Sequence, residues 1–146
     1  MKQEVSIEEA LKREGLLVCT TAGWSMYPML RDRRDTIIVK PAKERLNKYD
    51  VALYKRGGRY VLHRVIRVLP DSYVICGDNC LQKEKGIRDE QILGVLTGFY
   101  RGKKRINMEG MAYRLYSRTW GMTRPVRRVV IRMKEIVRRG PKWKES

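Results

Sequence analysis

Apolar and polar positions change rhythm twice along this chain. The segment SIEEALKREG (6–15) carries its apolar residues at helical spacing. Ser6 and Glu9 fit a capping box, Val5 and Ala10 a hydrophobic staple, and Gly15 a left-handed stop, so a short helix is expected. From Leu16 the pattern shortens. The runs LLVCTTAGW, DTIIVKP, YDVALYKR, RYVLHRVIRVL, DSYVICGD and QILGVLTGFYR are rich in β-branched and aromatic residues, and Gly, Pro, Asp and Asn separate them. Such runs read as strands. KRGGRY, with Gly57 and Gly58 at its centre, reads as a hairpin. The pattern predicts a mainly β unit of six or seven strands from Leu16 to about Ile106, antiparallel or mixed and barrel-like.

After about Met108 helical spacing returns, in EGMAYRLYSRTW and RPVRRVVIRMKEIVRRG. In the second, Val126, Val129, Val130, Met133, Ile136 and Val137 fall on one helical face. Pro125 suits its first turn and Gly140-Pro141 its end. The chain thus divides into a β-rich domain with a short N-terminal helix (1–107) and a basic helical extension (108–146).

Composition narrows the setting. A chain of 146 residues suits one domain with an appendage. The odd set of three cysteines, Cys19, Cys76 and Cys80, lacks a C-x-x-C pair and reads as free thiols. With one histidine and unpaired thiols, no metal site and no cofactor is expected. No apolar run approaches the roughly 18 residues that span a bilayer, and the first fifteen residues are mostly charged. The expectation is a protein without signal peptide or transmembrane segment, cytoplasmic or peripheral on a membrane.

The formal net charge of +17 favours anionic partners. From Arg101 to Ser146 fifteen Lys and Arg stand against three acids, so most of the excess lies in the tail. Two readings fit the last helix. It lies on an anionic membrane surface through its apolar stripe, or it packs that stripe on the β core and leaves its basic face in water. Nucleic acid fits less well, because no recognition motif is present and aromatic residues are not interleaved with the basic ones.

Three residues carry candidate chemistry: Ser25 in GWSMYP, His63 in YVLHRVIRV and Asp78 in ICGDNC. A serine hydroxyl is a poor nucleophile until a base takes its proton. Imidazole suits that task near neutral pH, and a carboxylate on its other nitrogen fixes the tautomer. Each residue also has an ordinary reading. Ser25 could serve a turn, His63 a strand core, and Asp78 an Asx-turn.

GWSMYPMLRDRRDTIIV, YDVALYKRGGRYVLHRVIRV, DSYVICGDN and QILGVLTGFYRGKK follow one another in the order of the boxes of type I signal peptidases. The chain resembles that superfamily over roughly Leu16 to Arg105. His63-Arg64 resembles its archaeal and endoplasmic-reticulum branch, in which histidine stands where bacterial enzymes carry lysine. The resemblance implies a serine endopeptidase that cuts an extended peptide after small residues. It implies Ser25 as nucleophile, His63 as general base and Asp78 as orienting acid. Backbone N–H groups of Ser25 and Trp24 would face the oxyanion. Gly23 would allow close backbone approach, and Met26 and Pro28 would shape the turn and pocket. For the family's second acid the chain offers Glu84 or Asp89, or neither. Arg64 alternates with His63 and is expected on the other face of the strand, in a structural role. The family's usual transmembrane helix before the serine box has no counterpart in the fifteen residues here. The competing class is a catalytically weak, peptidase-like binding module recruited to an anionic surface or partner by its basic tail.

Overall fold

The computed structural model describes residues 6–140. Helix α1 (Ile7–Glu14) leads into strands β1 (Leu17–Thr20), β2 (Asp35–Pro41), β3 (Val51–Arg56), β4 (Arg59–Val68), β5 (Tyr73–Cys76) and β6 (Glu84–Ile87). A short 3-10 turn (Asp89–Gln91) precedes β7 (Ile92–Arg101) and β8 (Lys104–Asn107), and helices α2 (Met111–Met122) and α3 (Arg124–Arg139) follow. The fold is mainly β, as the apolar pattern predicts, with eight strands.

Every strand pairing is antiparallel. The sheet runs β1-β2-β7-β3-β4-β5-β6, with β8 added to β7. It forms a compact β core and does not close into a barrel, and of the antiparallel or mixed pairing expected it takes the antiparallel. The most connected strand is β7. It pairs with β2 along its length, and it also meets β3 through Ile92–Val95 and β8 through Gly98–Arg101. The long strand therefore pairs with β2 on one edge and with two short neighbours on the other, and β1 and β6 end the sheet.

Local signals set the elements. The Ser6 hydroxyl accepts from the Glu9 N–H at 3.1 Å, and the Ser6 N–H donates to the Glu9 carboxylate at 3.3 Å. Gly15 ends α1 with φ 63°. The staple residue Val5 lies outside the described residues. Gly57 and Gly58 both take positive φ, 55° and 78°, as a type I′ hairpin turn requires. This turn sets the β3–β4 register and pairs Ala52 with His63.

Alternation along β3 feeds two cores. Val51 and Leu53 join a cluster with Leu17, Met26, Met29 and Phe99. Ala52 and Tyr54 join another with Val65, Tyr73 and Ile75. The tail closes against the first: Tyr113 and Tyr116 of α2 pack on it. Gly121 lies against the ring of Tyr49, where a methyl group would come within 2.7 Å of it.

Helix α3 is oriented unlike an ordinary surface helix. Its apolar stripe does not pack on the β core: Val126 is 66% exposed, Ile136 69% and Val137 80%. Arg124, Arg127, Arg128 and Ile131 are the part-buried positions of the same helix. No helix among the described residues is long and apolar enough to cross a membrane.

This burial pattern sets an expected contrast in stability. Ile75→Ala, at a fully buried site, is expected to cost about 2–5 kcal/mol in urea unfolding. Val129→Ala on the exposed stripe is expected to change stability by less than about 0.5 kcal/mol.

Candidate active site

Ser25 stands in the turn between β1 and β2. Thr21 fixes the start of this loop through its hydroxyl, which donates to the Arg31 carbonyl at 2.7 Å. The Gly23 N–H donates to the Asp32 carboxylate at 2.7 Å, and Gly23 takes φ 96°, a conformation that disfavours side chains. Met26, Met29 and Leu30 anchor the loop in the core. The Tyr27–Pro28 bond is cis. The Trp24 ring is largely exposed and leans on Tyr27, with centroids 5.6 Å apart.

The turn after β5 clamps this loop from the other side. The Asn79 backbone N–H donates to the Ser25 carbonyl at 2.9 Å, and its side-chain amide donates to the Trp24 carbonyl at 3.2 Å. Both carbonyls flanking the Ser25 N–H are therefore held. A trans peptide turns that N–H away from the Trp24 carbonyl, and so away from Asn79.

Ser25, Met26 and Gly23 share a cleft of about 370 Å³ with His63, Leu62, Arg56 and Ile7. Gly77 lies where the serine loop and the imidazole converge. A methyl group there would stand 2.6 Å from the Ser25 carbonyl oxygen and 3.1 Å from His63 Nε2. Only a residue without a side chain fits this gap. Among the described residues the Ser25 hydroxyl is not hydrogen-bonded to the ring.

Behind the ring the arrangement differs from the expectation. The carboxylate nearest Nδ1 belongs to Glu84, 3.7 Å away, which is beyond direct hydrogen bonding. The Tyr54 hydroxyl bridges the gap. It donates its proton to Glu84 at 2.8 Å and lies 3.4 Å from Nδ1. With that proton committed, the phenol oxygen is left to accept from Nδ1–H. This tautomer leaves Nε2, on the Gly77 side, with its lone pair. Arg56 pairs with the same Glu84 carboxylate. Burial lowers the His63 pKa below its ordinary 6.5; the charge of Glu84 works against this shift and that of Arg56 with it. The ring is therefore neutral at neutral pH. Burial and the Glu84 hydrogen bond push the Tyr54 pKa up, so its hydroxyl stays protonated.

Asp78 has another partner. Arg64, next after His63, leaves the strand on the opposite face. Its Nε and Nη2 donate to the two Asp78 oxygens at 2.7 and 2.8 Å, and both side chains are only 2% exposed. Nη1 also donates to the Tyr49 carbonyl at 3.1 Å and to the Tyr113 hydroxyl at 2.7 Å. Burial alone would lower the Arg64 pKa; the hydrogen bonds and charge of Asp78 outweigh it and push it up. Asp89 is not brought to the cleft. It accepts from the Tyr73 hydroxyl and faces Arg45 at 4.0 Å.

Sequence reasoning missed Tyr54, Arg56 and Asn79. A signal for Tyr54 was present. The Gly57–Gly58 turn pairs Ala52 with His63, which makes Tyr54 the diagonal neighbour of His63 on one face. Glu84 follows Asp78 by six residues, and sequence spacing alone did not choose it over Asp89. No known family and no curated protein gives a match to the chain.

The Arg64–Asp78 pair sets a stability test. Arg64→Met or Asp78→Leu alone leaves a buried group unpaired and is expected to cost about 3–5 kcal/mol. Arg64→Met together with Asp78→Leu is expected to cost less than the sum of the single changes, read by chemical denaturation.

Proposed function

We propose that the chain is a serine endopeptidase of signal-peptidase type. The observation that carries this reading is the convergence of Ser25 and His63 on one cleft at Gly77, with the Tyr54–Glu84 pair behind the ring. In this mechanism Nε2 of neutral His63 takes the Ser25 proton as Oγ attacks the scissile carbonyl. The imidazolium that forms is stabilised by Glu84 through the Tyr54 hydroxyl. The oxyanion is met by the Ser25 N–H, with Trp24 beside it, and preorganised donors of this kind often supply the largest catalytic term. His63 then protonates the leaving amine, and water hydrolyses the acyl-enzyme by the reverse proton path.

Glu84 takes the orienting role that the resemblance gave to Asp78. Asp78 becomes a positioning residue: it locks Arg64, and its turn carries Gly77 and Asn79, which hold the serine loop. The substrate is an extended peptide. β1 ends the sheet, and Cys19, Thr20 and Thr21 line the cleft beside Ser25, so a peptide strand can pair along that edge. Small residues before the cut follow from the family resemblance.

Helix α3 supports a peripheral position on an anionic membrane. Its exposed stripe fits the acyl boundary, and α3 carries seven cations against one acid, each cation near the surface adding about 1 kcal/mol. The same exposed stripe favours the competing reading, a binding module that retains the peptidase fold.

Three experiments decide. Ser25→Ala is expected to lower cleavage of an extended peptide by at least about a thousandfold while the melting temperature holds. Unchanged cleavage in that variant rejects the mechanism. In the pH profile of kcat/KM the acid limb is expected below 6.5, because activity rises as His63 loses its proton and burial lowers its pKa. Glu84→Gln removes a charge that raises this pKa, so the limb moves to lower pH as the rate falls. For the tail, flotation with phosphatidylglycerol vesicles is expected to recover the native chain. Ile136→Asp is expected to weaken that recovery, whereas equal recovery of both removes the membrane reading.

A further inference from the structure

A second cavity, of about 340 Å³, lies between β4, β5 and the junction of α2 with α3. Its wall carries Lys48, Arg67, Lys83, Lys85, Arg124 and Arg127, besides Arg64. The one carboxylate on that wall, Asp78, is already held by both arms of Arg64. The volume lies within the roughly 300–1,000 Å³ of small-ligand sites.

Three further observations make this cavity short of negative charge. First, Arg124 Nε and Nη2, Arg127 Nε and Trp120 Nε1 are buried N–H donors without a partner among the described residues. Unpaired buried donors are rare in native proteins, because each has lost its water without replacement. Second, α3 starts at this cavity with arginines. Its first turn holds no acidic residue, and Thr123 gives no side-chain cap. The positive end of a helix dipole normally attracts acids, and here it faces cations. Third, burial lowers the Arg127 pKa, and the charge of Arg124 adds to this against that of Asp78. An anion at this end of α3 would answer the unpaired donors, the dipole and the crowded cations together.

We propose that this cavity binds a phosphate-bearing anion. A phosphoryl group offers several acceptor oxygens to the guanidinium and ammonium donors and matches the arginine fork in pairs. A single carboxylate would leave most of the cations unanswered. The site adjoins the turn of the proposed active site: Arg127 Nη1 donates to the Asp78 carbonyl at 2.9 Å, and its guanidinium lies 3.6 Å over the Trp120 ring. Two sources supply this chemistry, a free phosphorylated compound and the headgroup of an anionic lipid. The exposed stripe of α3 continues away from the site toward the second.

The test uses the full chain at fixed ionic strength. Sodium pyrophosphate is titrated calorimetrically, with sodium chloride as control, and phosphatidylglycerol vesicles are tested by flotation. Saturable pyrophosphate binding is expected to weaken about tenfold to a hundredfold in Arg124→Gln. The exposed pair Lys83→Gln with Lys85→Gln is expected to weaken it too, and serves if Arg124→Gln lowers the melting temperature. Vesicle binding lost in these variants, without pyrophosphate binding, assigns the site to a lipid headgroup. Ser25→Ala is expected to bind either probe like the native chain, so a failed peptidase assay leaves this result readable. Absence of binding to both probes, or native affinity in both variants, overturns the proposal.

Discussion

Arg64 holds a full positive charge where only 2% of its side chain meets solvent, and the elements around the cleft are tied to that charge. Its two-armed grip on Asp78 fixes the turn after β5. That turn presents Asn79 to the carbonyls of Trp24 and Ser25 and places Gly77 against the imidazole. The third arm reaches the Tyr49 carbonyl and the Tyr113 hydroxyl, joining the β2–β3 connection to α2. Met29 Sδ, 3.1 Å from Nη2, closes the circuit to the serine loop. A charge this deep is tolerated only because each donor nitrogen finds an acceptor. The need to satisfy it therefore dictates where five separate segments sit.

Two acidic networks result, on opposite faces of β4. Asp78 serves architecture through Arg64. Glu84 serves the imidazole through Tyr54, and Arg56 pairs with the same carboxylate oxygen. The separation has an electrostatic benefit. A carboxylate in direct contact with Nδ1 would raise the His63 pKa strongly, whereas a phenol between them orients the ring and transmits less charge. Burial then keeps the ring neutral, the state that the proposed base requires.

The sequence made some of this legible and hid the rest for identifiable reasons. Strand runs and helical stretches could be read because each obeys its own period, and the Ser6–Glu9 box because it is local. The two glycines of the β3–β4 turn even encode the pairing of Ala52 with His63. Which acid stands behind the ring could not be read. Asp78 and Glu84 follow the same strand, and the choice depends on Arg64, whose five donors capture the nearer carboxylate first. The open sheet was hidden as well, because closure would need the end strands β1 and β6 to pair, and they are far apart in the chain. The outward stripe of α3 was equally hidden, since periodicity finds an apolar face without saying what it meets.

The adjacency of His63 and Arg64 has a consequence for how β4 finds its place. Successive residues on a strand face opposite ways, so a slip of one position would turn both side chains to the wrong face. In one direction the guanidinium would enter the cleft beside Ser25 and Val65 would face Asp78; in the other, the neutral ring would face Asp78 in a buried socket shaped for five donors. Such a register leaves a carboxylate stranded and is strongly disfavoured. The dipeptide thus acts as a built-in check on strand alignment: the chain can complete its buried ion pair only in the arrangement that also places the imidazole in the cleft with Ser25.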